Sequence, residues 1–175
     1  CIHSGGRCWH TLLRKESTMR KSIIAAGGQD AATPAENWLD LDRLARVEVT
    51  SDEQEHPIES ALIPGRGSGW EAAGPGSQII RIRFDEPRRV RRVWLHFCEP
   101  VASRTQEFVL RWGTADGQPT REVVRQQWTF SPDGSTHETE DYRVDLWEVT
   151  VLELTINPDV SGGDARASLR EIRVA

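Results

Sequence analysis

Five side chains that could bind a polar ligand stand in or beside predicted turns: Arg104, Trp128, His56, Glu59 and Trp70. A guanidinium donates paired hydrogen bonds to neighbouring oxygens, and an indole offers a rigid apolar face. Imidazole and carboxylate groups add single hydrogen bonds to hydroxyls. Each residue also has an ordinary explanation: a solvated loop arginine, a surface histidine or carboxylate, and tryptophans packed in a core. The set predicts a binding site on loops that a rigid scaffold carries at one end.

Sequence patterns that indicate catalysis are missing. The chain has no Gly-x-Ser-x-Gly, His-Glu-x-x-His or Cys-x-x-Cys segment, and Gly65–Gly69 lacks the Lys-Ser/Thr and the helix of a phosphate-binding loop. Glu138, Glu140 and Asp141 could be assembled into a carboxylate pair, although a polar strand edge explains them equally well. We therefore predict a protein that is not an enzyme and has no catalytic residue.

The charge balance limits the classes of partner. The 175 residues include 22 Lys and Arg against 27 Asp and Glu, a net charge of −5, which argues against nucleic-acid binding through bulk charge. No apolar run approaches the roughly 20 residues of a membrane span. Met19–Ala26 begins like an export signal but has too few apolar residues for one, and Cys98 is the one thiol of the body. We predict a cytoplasmic protein without membrane contact and without an internal disulfide.

The chain divides into a tail and one domain. Residues 1–37 show no clear periodicity and contain the small, polar segment Ala25–Pro34, so we predict a flexible tail and linker. Residues 1–18 precede the single methionine, Met19, and one interpretation is that they are not native. Residues 38–175 have the length of a single domain.

Apolar residues alternate with period two beyond Trp38, which indicates β-strands. Pro87 is expected to end the second strand, because proline cannot donate to a central ladder. One short helix is predicted, within Trp38–Arg46. The pattern predicts an all-β antiparallel sandwich of about eight strands. The predicted strands are Ala45–Thr50, Gln78–Phe84, Arg89–Phe97, Glu107–Trp112, Arg121–Phe130, Asp141–Trp147, Thr150–Ile156 and Ser168–Val174.

Two outward faces follow from this alternation. Trp94 and His96 lie opposite the apolar residues of their strand, so we expect them to be exposed unless the N-terminal segment covers them. Several arginines fall on or near outward positions and form either a basic patch or, more commonly, a solvated face paired with Asp and Glu. They are Arg81, Arg83, Arg89, Arg91, Arg92, Arg111 and Arg125.

Four segments, in this order and spacing, resemble the discoidin family, also called the coagulation factor 5/8 type C or galactose-binding-like domain. They are Ala61–Trp70, Gly76–Phe84 with the following Pro87, Phe108–Trp112 with its Asp-Gly turn, and Ala167–Val174. The resemblance implies a jelly-roll sandwich. It also implies noncatalytic binding of a carbohydrate or related polar ligand, with Arg104 at the position of a ligand-contacting arginine and Trp70 at that of a tryptophan that usually packs in the core.

One departure from the family concerns calcium. Many members hold a structural calcium ion in the loop that corresponds to Ala61–Trp70, here called the early loop. In this chain Ile63 and Gly65 stand where Asp would be expected. Glu171 is the acidic residue that remains in the closing strand, Ala167–Val174. Calcium prefers several carboxylate and carbonyl oxygens, so we predict no metal and no cofactor, with a structural calcium ion held by backbone carbonyls as the disfavoured alternative. Two other functions stay open: a protein-interaction module, and binding of nucleic acid or phosphate through the arginine-rich face.

Overall fold

The structure, a computed structural model, describes residues 37–175. The predicted tail and linker lie outside the described residues, apart from Asn37. The elements are α1 (Leu41–Leu44), β1 (Ala45–Val49), α2 (Glu59–Leu62), β2 (Trp70–Pro75), β3 (Gln78–Cys98), β4 (Arg104–Gly113), β5 (Arg121–Phe130), β6 (His137–Asn157), β7 (Arg166–Leu169) and β8 (Glu171–Val174).

Two long strands, β3 and β6, run through both layers of the sandwich. Each has 21 residues, and they pair antiparallel from Gln78↔Ile156 to Cys98↔His137. The first half of β3 and the second half of β6 lie between β1 and β4, with β5 at the edge beyond β4. Their other halves, with β8 beside β3, form the opposing layer. β2 and β7 form a separate two-stranded ribbon.

The core lies between these layers and follows the predicted alternation. Ile80, Ile82 and Phe84 face inward from one half of β3, and Val93, Leu95 and Phe97 from the other. Phe97 stacks on Phe108 of β4, with ring centroids 5.2 Å apart, so the two halves close on one interior. Burying such apolar side chains is the main force that holds a sandwich together. The chain joins this body early, where the Leu39 N–H donates to the Val174 carbonyl at 2.8 Å.

Pro87 does not end its strand, so this prediction is wrong. β3 continues through it, but the pairing register with β6 is interrupted between Arg83 and Arg88. A residue in such an interruption needs no ladder partner for its N–H, and this is where proline is tolerated in a sheet. The bend that carries β3 from one layer to the other falls in the same stretch.

A bulge in β6 forms the matching bend. Val90 pairs with Leu146 and Arg88 with Val149, so Trp147 and Glu148 together oppose the single residue Arg89. Both bulged residues are exposed, while Val149 turns inward. Glu148 has φ of 53°, the left-handed region that side chains other than glycine rarely adopt. Bulges re-aim side chains in this way, and here the indole of Trp147 is turned toward solvent.

Replacing Glu148 with glycine is expected to raise the free energy of unfolding by up to about 1 kcal/mol, because glycine adopts positive φ without steric cost. Glu148→Val should lower it instead, since a β-branched side chain is strained there. Urea unfolding of both variants measures the difference. Glycine that destabilises the fold as much as valine would contradict the assigned backbone geometry.

Trp94 and His96 are buried, which corrects the expectation of an exposed face. Arg173 of β8 is the cross-strand neighbour of Trp94, and it donates hydrogen bonds to the Ala61 and Leu62 carbonyls, so α2 lies over this side of the sheet. The His96 ring nitrogen Nε2 lies 3.1 Å from Nδ1 of His137. Alternation assigns residues to faces, but it does not show which face a later segment covers.

The arginine-rich face is paired with acidic residues, as the commoner interpretation predicted. Arg83 contacts Glu48 at 2.7 Å, and Arg92 makes a two-pronged hydrogen bond to Asp141 with both distances 2.7 Å. Arg125 contacts both Glu107 and Glu122, at 3.0 and 3.3 Å. Pairs of this kind contribute about 0–1 kcal/mol each when exposed, and each carboxylate offsets the positive charge of its arginine.

Candidate functional site

A cleft of about 500 Å³ opens between the β3–β4 loop and the β2–β7 ribbon. It lies at one end of the sandwich, where β3 ends at Cys98. Loops held by strands at the end of a sandwich are a common location for ligand sites, because the scaffold fixes them and their sequence is free to vary. The cleft therefore decides which of the five candidate residues can meet a common ligand.

Glu99 organises the loop that forms one wall of the cleft. One carboxylate oxygen, Oε1, accepts hydrogen bonds from the backbone N–H groups of Val101 and Ala102, both at 3.0 Å. The other oxygen, Oε2, contacts Nη2 of Arg104 at 2.8 Å. A single side chain thus satisfies both the loop backbone and the arginine. This leaves Val101 at the rim of the cleft, with 82% of its surface exposed.

Arg104 lines the cleft but is only 7% exposed. Its Nη1 donates to the Arg166 carbonyl at 2.8 Å, and Nη2 faces Glu99. Its Nε is buried and has no hydrogen-bond partner among the described residues. The predicted arginine is therefore at the site, where it ties the β3–β4 loop to β7.

Arg166 connects the opposite wall. Its Nη2 lies 2.8 Å from Glu53 and its Nη1 3.2 Å from Glu71, and its Nε donates to the Ala72 carbonyl at 2.8 Å. These contacts fasten β7 to β2 beyond their short ladder. Because Glu71 is paired in this way, one of the carboxylates of the cleft is already neutralised.

Two further candidates lie at the cleft and two do not. His56 lines it, with Nδ1 2.8 Å from the Ser68 hydroxyl, and the buried Trp70 forms its floor while donating from Nε1 to the Ser51 carbonyl at 3.2 Å. Glu59 is exposed at the start of α2, beside a different recess. Trp128 faces the interior from β5 and packs against the core, so it offers no plate to this cleft.

Sequence reasoning missed part of the ligand-facing surface. Asp164 and Arg170 line the cleft, and neither makes an ion pair within residues 37–175. Ser168 lies between them on β7, next to the Arg166 wall. The Gly162-Gly163 pair marked a turn before β7, but only the pairing of β7 with β2 brings that turn to the cleft. The cleft therefore offers hydroxyl, carboxylate and guanidinium groups around the apolar Val101.

The guanidinium of Arg173 lies between the early loop and the closing strand. Nη1 of Arg173 lies 2.6 Å from the Leu62 carbonyl and 3.0 Å from the Ile172 carbonyl, while Nη2 contacts Glu171 at 2.6 Å. The guanidinium is thus paired with carbonyl and carboxylate oxygens, the ligand types that calcium prefers. Burial lowers the pKa of Arg173, and the neighbouring Glu171 offsets part of that shift. Arginine nevertheless keeps its charge in proteins. A second cation at this place would meet direct repulsion.

An unusual carboxyl lies inside the sandwich and does not line the cleft. Glu138 of β6 is 1% exposed, and its two oxygens have no hydrogen bond of good geometry to any described residue. Burial, followed by repulsion from Glu140, raises the pKa of Glu138 to about 8. Gln126 of β5 donates to Glu140 and accepts from the Tyr142 hydroxyl at 3.1 Å. These residues form a polar layer in the interior that the sequence placed at a strand edge.

The fold has close structural counterparts, although no family model and no curated protein matches the sequence. A family 32 carbohydrate-binding module from C. perfringens NanJ, in complex with galactose, superposes with a TM-score of 0.57 at 16% identity, covering 78% of this chain and 96% of the module. The CpGH89CBM32-5 module from Clostridium perfringens, in complex with GalNAc-β-1,3-galactose, gives 0.57 at 15% identity, covering 79% and 99%. This chain has the discoidin-like fold.

Another discoidin-like structure is the CBM32 of AlyQ in complex with 4,5-unsaturated mannuronic acid. It superposes with a TM-score of 0.51 at 19% identity and covers 80% of this chain and 98% of the module. The predicted all-β jelly-roll sandwich is thereby confirmed. Within the described residues, neither short helix of the discoidin-like domain has the length or the apolar character to span a bilayer.

Proposed function

We propose that this chain is a noncatalytic binding module whose cleft beside the β3–β4 loop holds a carbohydrate. The observation that carries the proposal is a cleft at the loop end of a discoidin-like sandwich, where hydrogen-bonding groups and apolar surface, including the exposed Val101, lie side by side. Sugars present hydroxyls that need such groups and one apolar face that needs an apolar neighbour. Solved structures with this fold are in complex with galactose and with an unsaturated mannuronic acid.

The pairing of the carboxylates supports binding without catalysis. Hydrolysis of a glycosidic bond ordinarily uses two carboxyl groups, one on each side of the scissile bond. Glu99 is paired with Arg104 and Glu71 with Arg166, so Asp164 is the one carboxylate of the cleft without an ion pair among residues 37–175. We assign Arg104 and Glu99 to positioning the loop, and His56, Ser168 and Arg170 to hydrogen bonding with the ligand.

A glycan-array screen of the full chain, followed by calorimetric titration of the best ligand, tests this function. Val101→Asp should lower the affinity at least tenfold, because a desolvated carboxylate would face the apolar side of the sugar. Val160→Asp is the matched control. Val160 is also exposed but does not line the cleft, so this variant should bind the glycan with the affinity of the parent chain.

Two results would count against the proposal. A folded chain that binds no glycan on the array would contradict carbohydrate binding. Equal losses of affinity in Val101→Asp and Val160→Asp would show that the carbohydrate does not bind in the cleft. The protein-interaction alternative does not gain the exposed Trp94–His96 face that would have supported it, because both residues are buried.

A further inference from the structure

Trp147 is the large aromatic side chain most exposed within residues 37–175, at 57% of its surface. It lies at the bend of β6, ten residues along the strand from His137, whose partner Cys98 lines the cleft. Ten residues of strand span about 30 Å, so the indole and the cleft stand near opposite ends of the sandwich. No single sugar ring held in the cleft could touch both.

The indole is held in place by its neighbours. The Arg89 guanidinium lies over one ring face, 3.7 Å from the centroid, and is itself fixed by two hydrogen bonds to Asp145, at 2.7 and 3.0 Å. Hydrogen bonding to Arg89 lowers the pKa of Asp145, and the Trp147 indole N–H adds to that effect, so the three groups act on one another. One face of the ring is thus closed by a cation and the other faces solvent.

We propose that Trp147 is a second carbohydrate-binding platform, on which a pyranose ring stacks against the open indole face. The closed face and the fixed arginine mean that little side-chain entropy is lost when a ring stacks. Asp145 and Glu148 lie beside the indole, and Arg91 is near enough to Asp145 to act on its charge, so donors and acceptors for ring hydroxyls are at hand. The platform does not depend on whether the cleft binds sugar.

The surroundings of Trp147 favour a sugar over a protein partner. Specific protein interfaces have a core of several apolar side chains that excludes water. The other large apolar residues exposed in the described chain are Val101, at the cleft, and Val160, in the loop before β7. One plate ringed by charged groups has too little apolar area for such a core, whereas a single sugar ring needs no more than one plate.

The experiment uses the full chain labelled with 5-fluorotryptophan, with the ¹⁹F signal of Trp147 assigned among the seven tryptophans by Trp147→Phe. The probes are galactose and cellohexaose, added to millimolar concentration in a Val101→Asp background. A saturable shift of the Trp147 signal with either probe is expected, while the signal of buried Trp94, which does not line the cleft, stays in place. The proposal is overturned if neither probe shifts the Trp147 signal. It is also overturned if that signal shifts with protein concentration when no sugar is present.

A second measurement separates this platform from the cleft. On an immobilised polysaccharide that the parent chain binds, Trp147→Ala should weaken retention tenfold or more, because two linked contacts bind more tightly than one. Affinity for a monosaccharide bound in the cleft should not change. Equal retention of Trp147→Ala and the parent would show that Trp147 takes no part. If the cleft shows no affinity for sugar but the ¹⁹F signal of Trp147 still shifts with sugar, only the proposed function of the cleft is contradicted.

Discussion

Replacing Glu138 with glutamine is expected to stabilise the fold by about 2–4 kcal/mol at pH 8 and to leave it nearly unchanged near pH 4. The reason is the interior position of this carboxyl, which burial and Glu140 keep protonated until about pH 8. Glutamine has the same shape as the protonated acid but cannot ionise. The variant therefore removes the free-energy cost of ionising a carboxyl inside the protein and changes little else.

The sign of the pH dependence follows from the proton balance. In the unfolded chain Glu138 releases its proton near the ordinary pKa of 4.5, whereas the folded chain keeps it until about pH 8. Between these values the folded state binds more protons, so its stability falls as the pH rises, by up to about 1.4 kcal/mol per pH unit. Stability from this group is complete below pH 4.5 and is lost progressively toward pH 8.

Urea unfolding at several pH values between 4 and 8 measures this effect. The difference between Glu138→Gln and the parent should grow steadily with pH. Glu148→Gln serves as the matched control, because it removes an exposed carboxylate from the same strand, and its curve should follow the parent at every pH. Parallel curves for Glu138→Gln and the parent would mean that this carboxyl is already ionised in the folded protein.

Replacing Arg173 with methionine is expected to lower the free energy of unfolding by about 3–5 kcal/mol. The substitution keeps a long apolar stem but removes the guanidinium that contacts the Leu62 and Ile172 carbonyls and the carboxylate of Glu171. Buried acceptors without a donor, and a carboxylate without its cation, are among the costliest defects in a protein interior. The loss should appear first as detachment of α2 from β8.

Arg46→Met provides the control for Arg173→Met. Arg46 is exposed and lies 4.0 Å from the exposed Asp85, so its removal should change stability by no more than about 0.5 kcal/mol. Millimolar calcium, or its removal with a chelator, should not move the unfolding midpoint of the parent, because Arg173 already holds the early loop. A midpoint that rises with calcium would show that an ion binds despite this arginine.

Local alternation was enough to predict most strands of the fold. Arg121–Phe130 has the predicted bounds, and Ile80, Ile82 and Phe84 face the core as expected, because a period of two depends on neighbouring residues alone. The joins between strands were not predictable in this way. Whether β3 continues through Pro87 depends on its register with β6, a segment some sixty residues away in the chain.

The candidate site was predictable only in part. Arg104, His56 and Trp70 reach the same cleft, which turn position and family resemblance had suggested. Glu59 and Trp128 fall elsewhere, because α2 turns the first outward and β5 turns the second inward. Glu99 could have been found from the sequence: it is an acidic residue just ahead of two loop N–H groups and five residues before an arginine.

The two bent strands also set how this protein must fold. Cys98 pairs with His137 and Gln78 with Ile156, so ladder partners stand 39 to 78 residues apart in the chain. Bringing such distant segments together costs loop-closure entropy before any contact is gained, which places the domain among the slow folders, on a scale of milliseconds to seconds. Because each layer is built on the same two strands, neither can form alone, and both should appear in one kinetic phase.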